Sequence, residues 1–200
     1  MKPIRDLRRA ERGIEEFLAG LGFNTESDPE LQETPKRVVN AFSQDLLSGI
    51  DMDEKSTLLN EAVPIPYTYT GIITVRNIAI TSVCPHHLLP SLGYATVIYI
   101  PRTKTVGLGS IARLVNGHAR RLVFQETVGE NVVHALIEHA DAKAALCRLT
   151  MLHMCMAARG ERRHEARVET VAMGGSFAEP GADRDLALAE LKTTTPEKSW

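Results

Sequence analysis

Apolar residues recur along the first fifty positions at helical spacing. Leu7, Ala10, Ile14, Phe17, Leu18 and Leu21 fall on one side of a helix with Arg and Glu between them, and Gly20 and Gly22 close it. Thr34-Pro35 opens a second helix, with threonine placed to cap it and proline suited to the first helical position. Val38, Val39, Phe42, Leu46 and Leu47 give this helix its apolar side, and Gly49 is expected to stop it. Pro64 and Pro66 then mark a loop into a different regime. From Ile72 to Val83 the residues are β-branched and roughly alternating, which predicts a strand, and Tyr94–Ile100 predicts a second one closed by Pro101.

Helical periodicity returns over Ser110–Leu122 and Glu126–His139. Ala145–Met156 reads as a strand with Ala166–Met173 as its hairpin partner, and Asp183–Leu191 as a short final helix. No repeat of fixed period is evident. The pattern divides the chain into an N-terminal helical region (1–62), a mixed α+β domain (63–191) and a polar, frayed tail (192–200).

Composition narrows the function classes. Hydrophobic residues make up 44% of the 200, enough for a real core, while aromatics at 5% argue against a stacking platform for single strands. A net charge of -2 gives no general attraction to nucleic acid or to an anionic membrane. The charged start, Met1–Arg12, argues against a secretory signal, and no apolar run reaches membrane-spanning length. Three cysteines, an odd number, fit a reducing compartment, so a cytoplasmic location is expected.

The chemistry concentrates in Ser82-Val83-Cys84-Pro85-His86-His87-Leu88-Leu89-Pro90. A thiolate and an imidazole three positions apart suit zinc, and a further ligand is needed from elsewhere. His153-Met154-Cys155 is the candidate. If the strand runs to Met156, alternation puts Cys147, Leu149, Met151, His153 and Cys155 on one face, with His153 and Cys155 about 7 Å apart. Cys147 lies about 26 Å from Cys155 on the same rise and is assigned to the core. Adjacent His86 and His87 would point apart on a straight strand, so the backbone must bend there. Four candidate ligands leave a closed structural site and an open catalytic one equally admissible.

Thr34-Pro35-Lys36-Arg37-Val38, Cys84-Pro85-His86-His87, Tyr99-Ile100-Pro101, Gly107-Leu108, Arg113, Arg120-Arg121, Gln125-Glu126 and His153-Met154-Cys155-Met156 followed by Arg159-Gly160 occur in the order and spacing of GTP cyclohydrolase I. From about Thr34 to Leu191 the chain resembles that family. The resemblance implies the tunnelling fold: an antiparallel sheet with helices on one side, preceded here by the helical pair. Subunits of that fold join edge to edge into barrels, and a homodecamer with sites between subunits is implied. It also implies Cys84, His87 and Cys155 as zinc ligands, and His86 and His153 as the acid/base pair. Gln125 and Glu126 would read the guanine edge; Arg113 and Arg159, with the position of Ser110, would meet the triphosphate. The reaction implied is hydrolytic opening of the imidazole ring of GTP, loss of C8 as formate and rearrangement to 7,8-dihydroneopterin triphosphate.

The chain departs from the family pattern at informative places. Pro85 replaces the glutamate of Cys-Glu-His-His, and Gly109-Ser110 replaces a Ser-Lys whose lysine commonly contacts phosphate. Ser91 stands where Phe is common after Pro90, and Val123 where Gln is common. Losing one charged phosphate contact costs about 1.5–3 kcal/mol unless Lys104, Arg120 or Arg163 compensates. The readings that follow are GTP cyclohydrolase I itself, a paralogue taking another purine or pterin or stopping after ring opening, and a non-catalytic tunnelling-fold assembly. Retention of both histidines counts against the last.

Overall fold

The computed structural model describes residues 4–65, 69 and 71–193. Pro66 of the expected loop, and residues 194–200 of the expected tail, lie outside these. The chain begins with helix α1 (Leu7–Gly20), whose first turn is capped by the Asp6 carboxylate accepting from the Arg9 N–H. Helix α2 (Thr34–Asn40) follows, but Thr34 does not cap it: Glu33 holds the cap position and Thr34-Pro35 occupy the first turn. The helix widens into a π-helical turn (Ala41–Leu46) and a 3₁₀ turn (Ser48–Asp51), so Gly49 does not end it as expected. Gly49 serves a contact instead, since a Cβ there would lie 2.0 Å from the Gly117 carbonyl oxygen. Helix α3 (Glu54–Leu59), capped by Asp53, was not visible in the apolar pattern, because it is short and buries a single residue, Leu58.

Strand β1 (Val63–Pro64) leads to β2 (Ile73–Val83), β3 (Pro90–Pro101) and β4 (Lys104–Thr105), the last pairing with β1. Helices α4 (Leu108–Ala119) and α5 (Gln125–Ala140) precede β5 (Ala142–His153), a short helix α6 (Met154–Ala157), β6 (Val168–Gly175) and α7 (Ala182–Lys192). Lys192 therefore belongs to the last helix, not to the tail. The main sheet is antiparallel throughout, in the order β2-β3-β5-β6. The molecule is α+β.

Alternation sorts the sheet into two faces. Val97 and Tyr99 of β3 and Ala145, Cys147, Leu149 and Met151 of β5 turn toward α4 and α5, joining Leu114, Val132, Leu136 and Leu58 in the larger core. Ile98, Ile100, Ala144 and Leu146 turn the other way and meet Phe177 and Ala187. The helices are thus not all on one side: α7 covers part of the opposite face, fixed there by the Arg76–Glu190 and Lys143–Asp183 ion pairs. In β2, Arg76 and Asn77 together oppose the single residue Thr96, a β-bulge in which Asn77 takes φ +55°. Asparagine tolerates that left-handed geometry better than most residues.

Candidate active site and metal centre

Register places the site. Ser91, near the start of β3, pairs with His153 at the end of β5, so the chain leaving β5 emerges beside the turn that precedes β3. That turn carries the Cys-Pro-His-His run. It is closed by the Cys84 N–H donating to the Leu89 carbonyl and the Leu88 N–H donating to the Cys84 carbonyl, with Leu88 at φ +55°. The bend demanded by adjacent histidines is therefore present. Beyond His153 the strand does not continue. Cys155 lies in the first turn of α6, which corrects the expectation that His153 and Cys155 share a strand face.

The helical turn nonetheless brings Cys155 to the other two ligands. Single ligand atoms of Cys84, His87 and Cys155 lie within 4.8 Å of one another, the one such metal-capable group among the described residues. Cys84 Sγ and His87 Nδ1 are 3.6 Å apart. Sulfur and nitrogen ligands on a tetrahedral zinc stand about 3.6 Å apart, so this donor set fits the metal. Burial, reinforced by the neighbouring Cys84 thiol, pushes the Cys155 thiol up. Cysteines ligate metal as thiolates, so a bound cation would offset the shift of Cys155.

His153 is held at both ring nitrogens. The Gln125 amide nitrogen shares its hydrogens among the Leu149 and Val168 carbonyls and the Thr170 hydroxyl, at 3.0, 3.0 and 3.1 Å. Its oxygen must then face His153 Nε2, 2.8 Å away, so Nε2–H donates to it. Nδ1 is left as an acceptor for the Ser91 hydroxyl at 3.0 Å. Burial lowers the pKa of His153, partly offset by the Glu126 carboxylate. Gln125, expected at a guanine edge, is 4% exposed and engaged inside the chain through both ends of its amide. Glu126 beside it is exposed. His86 is exposed and rests against the Phe124 ring, with centroids 5.2 Å apart.

Ser110 and Arg113 form a second group at the start of α4. Both contact Glu61, at the turn after α3. Arg159 lies exposed past α6. Cys147 is fully buried and its thiol is pushed up to about 12, as befits a core residue. Ser91, Phe124 and Glu61 were not singled out for these contacts from sequence. A serine replacing an expected Phe was the signal for the first, and nothing local marks the other two.

The family model for GTP cyclohydrolase I matches residues 10–192. The chain belongs to the GTP cyclohydrolase I family. It is 36% identical over 181 residues to the GTP cyclohydrolase 1 of Leifsonia xyli, covering 90% of this chain and 93% of that protein. Against the GTP cyclohydrolase 1 of Campylobacter lari identity is 39% over 167 residues, covering 84% and 86%. Among solved structures, the apo archaeosine synthase QueF-Like aligns with 56% of this chain and 96% of its own, with TM-score 0.42 and 17% identity. Family membership gives the Cys84–His87–Cys155 cluster and the clamped His153 a common context. No helix among the described residues is long and apolar enough to cross a membrane.

Proposed function

We propose that this chain is a zinc-dependent GTP cyclohydrolase I, opening the guanine imidazole ring of GTP and releasing C8 as formate on the way to 7,8-dihydroneopterin triphosphate. The observation that carries the reading is the convergence of Cys84, His87 and Cys155 beside a doubly held His153, in a chain of this family. Cys84, His87 and Cys155 would hold the metal. When bound, zinc supplies the Lewis acidity that makes a water acidic near neutral pH. His153, whose pKa burial lowers, can take up a proton at its acceptor nitrogen Nδ1 and, as imidazolium, return it to a purine ring nitrogen, while Nε2–H stays on Gln125. His86, exposed in the same turn as two ligands, is the second proton carrier. Glu126 accepts N–H bonds from the guanine edge while Gln125 keeps His153 aligned, and Arg113 and Arg159 meet phosphate oxygens.

The assembly belongs to the same reading. The sheet ends in two strands, β2 and β6, beyond which no further strand pairs among the described residues, apart from an isolated bridge of Val83 to Leu122. A cleft of about 520 Å³ beside β6 is lined by Glu126, Glu130, His134 and Thr170. We read residues 63–191 as a tunnelling-fold catalytic domain behind the helical region 1–62, closing into a decameric barrel with each site completed by a neighbour. A second reading, a relative acting on a purine with fewer phosphates, draws on the engagement of Ser110 and Arg113 by Glu61.

The test is incubation of zinc-loaded protein, of measured solution mass, with GTP. Formate release and fluorescence of the oxidised pterin are expected together, and both are expected to fall at least a hundredfold in His153→Ala. Neither signal from zinc-replete, ring-forming protein would overturn the first reading in favour of the second.

A further inference from the structure

At the start of α4 a carboxylate of the chain itself sits where an oxyanion ligand would. Arg113 Nη2 lies 2.8 Å from Glu61 Oε1 and donates to the Ser110 hydroxyl at 2.9 Å. The Ser110 hydroxyl in turn donates to Glu61 Oε2 at 3.1 Å. We propose that Glu61 is an internal competitor that occupies the phosphate-contacting residues Ser110 and Arg113 and is displaced when substrate phosphate binds. The inference rests on the reading that these two residues face the phosphates, and it names the residue that sets how strongly.

The chemistry is one of equivalent acceptors. A guanidinium and a hydroxyl present the same donors to a carboxylate as to a phosphate oxygen, so the two anions exclude each other. Local shape favours the occupant. A Cβ on Gly107 would stand 2.6 Å from Glu61 Oε2, and one on Gly109 would stand 3.1 Å from Arg113 Nη1. The run Gly107-Leu108-Gly109-Ser110 is thus cut back to let carboxylate and guanidinium meet. Arg113, followed by Ser110, holds the Glu61 carboxyl below the usual carboxylate range, so the competitor is ionised at neutral pH.

The placement also permits exchange. Both side chains of the pair are about half exposed, so the pair is weak and opens at little cost. Ser110 itself is fully buried. Glu61 is tethered closely on both sides. Leu58 anchors α3 in the core, and Val63–Pro64 pair with Lys104–Thr105. Released from Arg113, the carboxylate stays near the phosphates and continues to oppose them. The device therefore lowers the affinity of ligands that place phosphate on Ser110 and Arg113, while a nucleoside, which need not displace Glu61, is not penalised.

Inorganic tripolyphosphate is the probe, titrated calorimetrically into wild type, Glu61→Gln, and Glu61→Gln combined with Arg113→Met. Glu61→Gln is expected to bind about tenfold more tightly than wild type, and the added Arg113→Met to abolish the gain. In turnover the same Glu61→Gln change lowers KM for GTP with kcat unchanged. Equal or weaker tripolyphosphate binding by Glu61→Gln, with a native far-UV spectrum, would overturn the proposal and make Glu61 a support for Arg113. The binding readout stands apart from the proposed reaction. Absent GTP turnover sinks the functional reading, whereas an unchanged affinity in an active enzyme sinks this one.

Discussion

The histidine at the end of β5 shows how much a single side chain depends on its two neighbours. Ser91 and Gln125 occupy both ring nitrogens of His153, and the fixed Gln125 amide dictates which nitrogen carries the proton. Replacing Ser91 with Ala removes the donor to Nδ1 and leaves the ring held at Nε2 alone, with the tautomer still set by Gln125. The expected result is a kcat five- to tenfold lower, equivalent to about 1 kcal/mol, with KM nearly unchanged. Steady-state kinetics on GTP check this, with Ser91→Thr as the variant that keeps the hydroxyl and restores rate. Wild-type kcat in Ser91→Ala would rule the hydrogen bond out as a positioning contact. Of this arrangement the sequence disclosed the chemical types, not the links. Cys84, His87 and Cys155 were legible as soft ligands at short spacing, whereas the Gln125 brace depends on a carbonyl of β6 43 residues away.

Among the elements, those that bury one face over several turns were readable, and those held by long-range contacts were not. Strands β2, β3, β5 and β6 and helices α4, α5 and α7 announced themselves by periodicity because each has a core-facing side. Helix α3 gave no signal, having one buried residue in six. The end of β5 was misplaced because Met154, Cys155 and Met156 prolong an apolar run, although the backbone has already turned helical. Helix α1 has a regular amphipathic pattern yet buries none of its residues in the single chain, and Phe17 and Leu21 remain exposed. Periodicity there reported a surface made for burial without saying against what.

Taken whole, the molecule carries a built-in sensitivity to acid. His118 on α4 is 1% exposed, its ring nitrogens have no hydrogen-bond partner among the described residues, and Glu54 stands 3.5 Å off. Burial pushes its pKa down to about 4, with Arg121 adding to the effect. In the unfolded chain a histidine titrates near 6.5, so between about 6.5 and 4 the unfolded state binds a proton that the folded state refuses. Stability is therefore full above this window and lost as pH falls through it, by up to about 3 kcal/mol. Urea unfolding at pH 7 and pH 5 should show the loss, and His118→Leu should flatten it. Parallel losses in the two proteins would point to other groups. A different tolerance follows from the bulge in β2. The strand has one residue more than its partner needs, and both Arg76 and Asn77 are exposed. Chain length is consequently negotiable at one place and nowhere nearby. Deleting Asn77 leaves Ile73, Val75, Ile78 and Ile80 facing inward, so the shortened chain should still be recovered soluble. Deleting Ala79, two residues on, turns every residue on one side of the cut to the wrong face, and that chain should not.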